Sequence, residues 1–185
     1  LALASALLYG SGDFLGGLST RRAPMLLVVA LGQAGGLGVL LGILAVMPAA
    51  TVTPADLAWG GAAGVFGGAG VGLLYRALAV GAMSVVAPTT AVCAVTVPVL
   101  AGILMGETPG VQTLAGIGLA VVASVLVSQQ PHASAAVPVH SARGLPQGIG
   151  IALASGLLIG LFFLVLARTG PAAGLWPLLA ARATS

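Results

Sequence analysis

Apolar residues fall into long blocks separated by short polar or proline-bearing breaks. Three blocks, Met25 to Met47, Leu57 to Leu78 and Ser84 to Met105, each pass the roughly 18 to 20 residues that carry a helix across a bilayer. Blocks and breaks together predict helices over Leu1–Leu18, Met25–Met47, Leu57–Leu78, Ser84–Met105, Pro109–Val127 and Pro146–Ala167, with a seventh opening near Pro171. Proline is tolerated in a first helical turn, where its missing N–H is no loss, and Pro24, Pro54, Pro109, Pro146 and Pro171 each open a block. Thr53 and Thr108 precede two of these prolines as candidate N-caps. Asp56 falls in a first turn, where a carboxylate suits the helix dipole.

Composition decides the solvent. Hydrophobic residues make up 59% of the chain and charged residues 5%, so a water-soluble core would leave most apolar side chains uncovered. The expected fold is all-α, a polytopic membrane bundle of which this fragment holds about six and a half helices. The reading as a fragment comes from the start at Leu1 inside one apolar segment and the stop at AARATS inside another. The basic balance rests on six cations, all Arg, with no basic patch, which excludes a nucleic-acid surface. Cys93 is the single cysteine and forms no internal disulfide; in its apolar run a thiol packs as a small hydrophobe.

Glycine indicates how the helices meet. Lipid gives no hydrophobic drive between helices, so association depends on close backbone approach at small residues. Gly60, Gly64, Gly68 and Gly72 recur at four-residue spacing in the third helix, and Gly148, Ala152, Gly156 and Gly160 in the sixth. Both stripes are expected to pack helix on helix; a sliding interface is the alternative.

The octapeptide LASALLYG, Leu3 to Gly10, returns as LASGLLIG, Leu153 to Gly160. Five crossings separate the two copies, an odd number, so the sixth helix points opposite to the first. A duplication on these terms is an inverted repeat, the architecture of secondary transporters, whose sites lie near the bilayer midplane between the halves. The expected organisation is a first five-helix repeat over residues 1–128, a connector over 129–145 and the start of a second repeat over 146–185.

The stretch from Tyr75 to Val127 carries A-x-x-x-G-x-x-S-x-x-A-P from Ala77 to Pro88, then Pro98, Gly106-Glu107 and a helix rich in small residues. In this order and spacing it resembles helices 3 to 5 of an EamA domain of the drug/metabolite transporter superfamily. The resemblance implies ten helices in two inverted halves, moving a small solute by alternating access from the cell membrane. One position departs: where the family usually has Trp-Gly in the first helix, this chain has Tyr9-Gly10, followed by Asp13.

Asp13 is the sharpest single feature. An acid in hydrocarbon costs about 2.5 to 3.5 kcal/mol on insertion scales, so it is expected to face a cavity or a partner. With Arg21 at the interface, Asp13 lies roughly 12 Å deeper, near mid-membrane, with Tyr9, Gly16 and Thr20 on its face. It is expected to serve a substrate, a cation or a proton, or else to pair structurally, Arg76 at the same-side end of the third helix being the nearest candidate partner, although its side chain should snorkel to the interface. In the fourth helix Thr89, Thr90, Cys93 and Thr96 accompany Pro88 and Pro98; hydroxyls there line a polar path or bond back to their own helix. Glu107 reads as an interfacial charge that the family's G-E also places on the pathway, and Arg168 as a loop cation. His132 and His140 lie in the connector without metal-ligand companions, and no cofactor or metal is expected.

A carrier has two rivals, a membrane-embedded enzyme and a structural subunit. Neither a nucleophile with its base nor an H-E-x-x-H appears in the sequence, and a structural subunit has little use for a mid-membrane acid. Expected partners are the lipid bilayer and a small solute, with protons as a candidate coupling ion. Orientation stays open: Arg21, Arg22, Arg76 and Arg143 against Arg168 place the N-terminus outside by the positive-inside rule, whereas the resemblance implies a cytoplasmic N-terminus.

Overall fold

A computed structural model describes residues 2–47, 50–128 and 148–185. The connector with His132, His140 and Arg143, and the helix start expected at Pro146, lie outside the described residues. Among those described, seven α-helices account for nearly all the structure: α1 (Ala2–Ser19), α2 (Met25–Val46), α3 (Pro54–Val80), α4 (Met83–Leu104), α5 (Val111–Ser128), α6 (Ile149–Leu166) and α7 (Trp176–Thr184). The fold is an all-helical membrane bundle. Helices α2, α3, α4 and α6 are long and apolar enough to cross a membrane, and α5 contributes a shorter apolar stretch, Val111–Ser124. Helix α1, expected as a crossing, falls outside that set because Asp13 and its glycines and serines dilute its hydropathy.

Local chemistry sets most boundaries. Thr53 caps α3: its hydroxyl accepts from the Asp56 N–H, while the Asp56 carboxylate accepts from the Thr53 N–H at 3.0 Å, a reciprocal capping box with Pro54 at the first turn. Two expected starts are corrected. Thr108 does not cap α5, because the chain leaves α4 through Gly106 (φ 87°), and the first bond of α5 is accepted by the Gly110 carbonyl, beyond Pro109. Pro171 opens only a 3-10 turn, Pro171–Ala173; Gly174 at φ 56° breaks it, and α7 starts afresh at Trp176.

Helix α3 is the hub, packed by α6 and α7 and touched by α1, α2 and α4; α6 also packs on α4, and α5 lies against α4. Small residues make this possible. Ala63, Ala77, Ala152 and Ser155 are wholly buried, and Leu74, Ala77, Leu78, Val86 and Ala152 form the core where α3, α4 and α6 meet. The glycines of both stripes lie against neighbouring helices, with one exception. A Cβ at Gly60 would meet the Pro177 Cα at 2.7 Å, one at Gly64 the Ala181 carbonyl carbon at 2.7 Å, and one at Gly68 the Ser185 Cα at 2.9 Å, so the α3 stripe is the seat of α7. Gly156 and Gly160 receive Cys93 and Val97 of α4 in the same way. Gly72 stands apart, its nearest neighbour being the Met25 methyl at 3.9 Å.

Polar pins join the packed faces. Ser155 Oγ donates to the Gly70 carbonyl at 2.7 Å, Thr184 Oγ1 to the Gly61 carbonyl at 2.8 Å and Thr90 Oγ1 to the Ala152 carbonyl at 3.2 Å. In hydrocarbon each such bond satisfies a hydroxyl that has no water to turn to. Asp56 adds a tie between distant segments: its other oxygen accepts from the Gly170 N–H at 2.7 Å, fastening the start of α3 to the turn after α6.

These contacts also give direction. Gly148 lies beside Ala77 and Gly81, Ser155 beside Gly70 and Phe162 beside Gly67, so α6 runs antiparallel to α3. Gly16, Gly17 and Arg21 at the end of α1 lie against Tyr75 and Leu78 near the end of α3. Helix α1 therefore ends, and α6 begins, at the same end of α3. The two copies of the octapeptide run in opposite senses, as the five helices from the start of one copy to the start of the other require.

Candidate functional site

A cleft of about 700 Å3 opens between α1, α2 and α3, with α7 reaching into it. Most of its wall is Leu, Val and Gly. The exceptions are Tyr9, Asp13 and Ser19 from α1, Ala23 just after it, Gln33 from α2, Tyr75 from α3 and Arg182 from α7. The absence of a side chain at Gly16 shapes one wall, since a Cβ there would meet the Tyr75 hydroxyl oxygen at 2.6 Å. The Tyr75 ring thus lies directly over the α1 backbone, one turn from Asp13.

Depth follows from the packing. Arg182 sits between Ala181, which meets Gly64, and Ser185, which meets Gly68, close to the middle of the 27-residue α3; its guanidinium also lies against Gly36, near the middle of the 22-residue α2. Gly16 lies abreast of Tyr75, which puts Asp13 about one turn further into the bundle. Arg182 Nη1 donates to Gln33 Oε1. Asp13 is half-buried and makes no hydrogen bond or ion pair among the described residues.

The alternative, an Asp13–Arg76 pair, is not formed. Arg76 is exposed on α3 and lines neither this cleft nor the next, so the cation sharing the cleft with Asp13 is Arg182. Thr20 does not line the cleft; its hydroxyl donates to the Tyr75 carbonyl at 3.3 Å and to its own helix. Tyr9 lines the cleft and is 74% exposed.

A second, smaller cleft of about 420 Å3 lies between α4, α5 and α6. Thr89, Cys93 and Thr96 line it, the two hydroxyls donating back to Val85 and Val92 at 2.7 Å each and the thiol approaching the Leu153 carbonyl at 3.5 Å. Thr90 is absent from this wall because its side chain is buried against α6. The second cleft therefore offers no charge. Glu107 lines neither cleft; it is exposed in the α4–α5 connection, where its N–H bonds the Gly102 carbonyl at 2.9 Å.

Three residues of the charged cleft go unnoticed in a reading for acids and motifs: Gln33, Tyr75 and Arg182. Gln33 had a usable signal, being the one side chain in α2 with a polar amide. Nothing local marks Arg182, because its depth is set by the α7 seat on α3.

Residues 1–129 match the model of the EamA-like transporter family, well over half of the chain. The chain belongs to the EamA-like transporter family. The match spans α1 to α5, thus including Asp13, Gln33 and Tyr75 but not Arg182. Membership in a transporter family, with four helices apolar enough to cross a membrane, makes the chain a multi-pass membrane protein with a small-molecule substrate. No curated protein and no solved structure matches the chain.

Proposed function

We propose that this EamA-like protein is a secondary transporter of the cell membrane that carries a small solute by alternating access, with the cleft between α1, α2, α3 and α7 as its binding site. Asp13 is the residue that engages the solute or a coupling proton. The observation that carries this reading is a carboxylate without a protein partner, facing a cleft deep among apolar helices. Such a placement costs free energy in every conformation, and a ligand is what offsets it. Support also comes from topology: α1 and α6 run in opposite senses, and the cleft forms where α7 of the expected second repeat meets α1, α2 and α3 of the first, the position at which inverted-repeat carriers hold their substrates.

The test is Asp13→Asn, which keeps shape and hydrogen-bonding capacity while removing the charge. Solute uptake or efflux in proteoliposomes is expected to fall while the melting curve in detergent stays in place, since no protein partner is lost. Full transport with unchanged pH dependence in Asp13→Asn would end the assignment. A collapse of folding would instead make Asp13 a structural residue.

A further inference from the structure

Asp56 divides its carboxylate between two tasks, and it does so on the side where the cleft is closed. We propose that Asp56 is a gating residue for transport: one oxygen caps α3, the other bolts the α6–α7 turn to the start of α3, and release of that bolt lets α7 swing away and opens the cleft to the opposite membrane face. This role rests on the reading of the cleft as the transport site.

The lining of the cleft is one-sided. From α2 it takes residues between Leu27 and Gln33, in the first half of the helix, and from α3 only Val71 and Tyr75, in its second half. The wall continues past the end of α1 to Ala23. The cleft therefore runs from the middle of the bundle to the face where α1 ends and α2 begins. Toward the other face α7 fills the space, touching both α2 and α3, with Pro177 on Gly60 and Ala181 on Gly64. A carrier working by alternating access exposes its site to each face in turn, so α7 is the element that has to leave for the second opening.

The contacts at the closed face suit a reversible opening. Asp56 Oδ2 accepts from the Thr53 N–H at 3.0 Å and the Thr53 hydroxyl at 2.7 Å, both within its own turn, whereas among the described residues Oδ1 accepts only from the Gly170 N–H at 2.7 Å. Parting from Gly170 therefore leaves the carboxylate anchored, at a helix end where interfacial water replaces the lost donor. The Thr51 N–H adds a second tie across this face, to the Ala172 carbonyl at 3.1 Å. Deeper in, the Thr184 hydroxyl that bonds Gly61 also lies within reach of the Ala180 and Ala181 carbonyls of its own helix, so it too keeps a partner when α7 moves. The pins of α6 have no such reserve, since Ser155 and Thr90 are buried and each bonds one carbonyl of a neighbouring helix. Helix α6 thus stays on α3 and α4 while α7 turns, and Gly170 and Gly174, the latter at φ 56°, flank the 3-10 turn as hinge positions.

Distance measurement by pulsed electron spin resonance on the full chain in proteoliposomes tests this without any solute. Spin labels are carried by Ala55→Cys and Arg168→Cys, exposed positions on either side of the bolt, in a Cys93→Ala background that removes the native thiol. The parent is expected to hold mainly one short separation. Asp56→Ala should raise the ratio of a longer separation to the short one about tenfold, the factor for losing one hydrogen bond to a charged acceptor. Gly170→Pro removes the same bond from the donor side, at a φ of −71° that proline adopts, and keeps the Asp56 carboxylate with its capping box; it should give the same shift even where Asp56→Ala folds poorly. Thr53→Ala weakens the cap but leaves the bolt, and should keep the parental distribution. An unchanged distribution in Gly170→Pro overturns the proposal, and so does an equal shift in Thr53→Ala, which would trace the movement to fraying of α3. The binding site is judged separately, by flux in Asp13→Asn, so a carrier that transports while this separation stays fixed would refute the gate and leave the site standing.

Discussion

Gly64 and Gly72 occupy the same stripe of α3, two turns apart, and in sequence they are equivalent; the structure makes their alanine variants differ in sign. A Cβ at Gly64 falls 2.7 Å from the Ala181 carbonyl carbon and also runs into Thr184. Ordinary contact begins at 3.4 Å, and the obstacle is backbone, so α7 as a whole must move outward. Overpacking of this kind costs about 1 to 3 kcal/mol. At Gly72 the nearest atom is a methionine methyl at 3.9 Å, already an ordinary contact. Both variants gain about 1 kcal/mol from replacing a helical glycine by alanine. Gly72→Ala is therefore expected to melt slightly above the parent, and Gly64→Ala below it by up to about 2 kcal/mol, a gap between the two of about 5 °C for a chain of this size. Displacing α7 also drags Arg182 from Gln33, so Gly64→Ala should lose transport in proteoliposomes and Gly72→Ala should not. Melting in detergent, followed by size-exclusion, reads the first effect. Equal melting temperatures for the two variants would mean that α7 is not seated on this stripe.

Asp56→Ala removes the acceptor of three bonds, from the Thr53 N–H, the Thr53 hydroxyl and the Gly170 N–H, and should lower the melting temperature without altering solute selectivity, whereas Asp56→Asn, which keeps one acceptor, should fall less. Thr90→Val breaks the α4–α6 pin and should cost about 1 kcal/mol, while Thr96→Val, which only removes a bond to its own helix, should cost less; both are read by melting, and equal losses would contradict the placement of Thr90.

How much of this was legible depends on how local each cause is. The α3 start was readable because Thr53, Pro54 and Asp56 satisfy one another within a single turn. The α5 and α7 starts were not: α5 begins only past Pro109, its first bond accepted by the Gly110 carbonyl, and Gly174 at positive φ breaks the turn that Pro171 opens, neither of which a proline alone reveals. In the cleft, Asp13 announced itself as an acid in an apolar run, but its surroundings did not. Arg76 was the obvious cation from chain order, yet one position separates it from Tyr75 on α3, and successive helical residues differ by about 100° in direction; Tyr75 lines the cleft and Arg76 does not.

The repeated octapeptide shows the same limit from the other side. In α6 its residues are among the most tightly held in the molecule: Ser155 donates to Gly70, and Gly156 and Gly160 receive Cys93 and Val97. In α1 the matching Ser5, Ala6 and Gly10 are exposed, and a Cβ at Gly10 meets nothing within 4 Å. Equal sequence therefore specifies equal capacity for close packing, while the neighbours decide whether it is used. The same holds for charge. Arg182 becomes a mid-bundle cation because the glycines of α3 admit α7, through Gly60, Gly64 and Gly68, to a depth where its side chain reaches Gln33 on α2. The stripe that looked like packing alone is thus what brings the second charge into the cleft with Asp13.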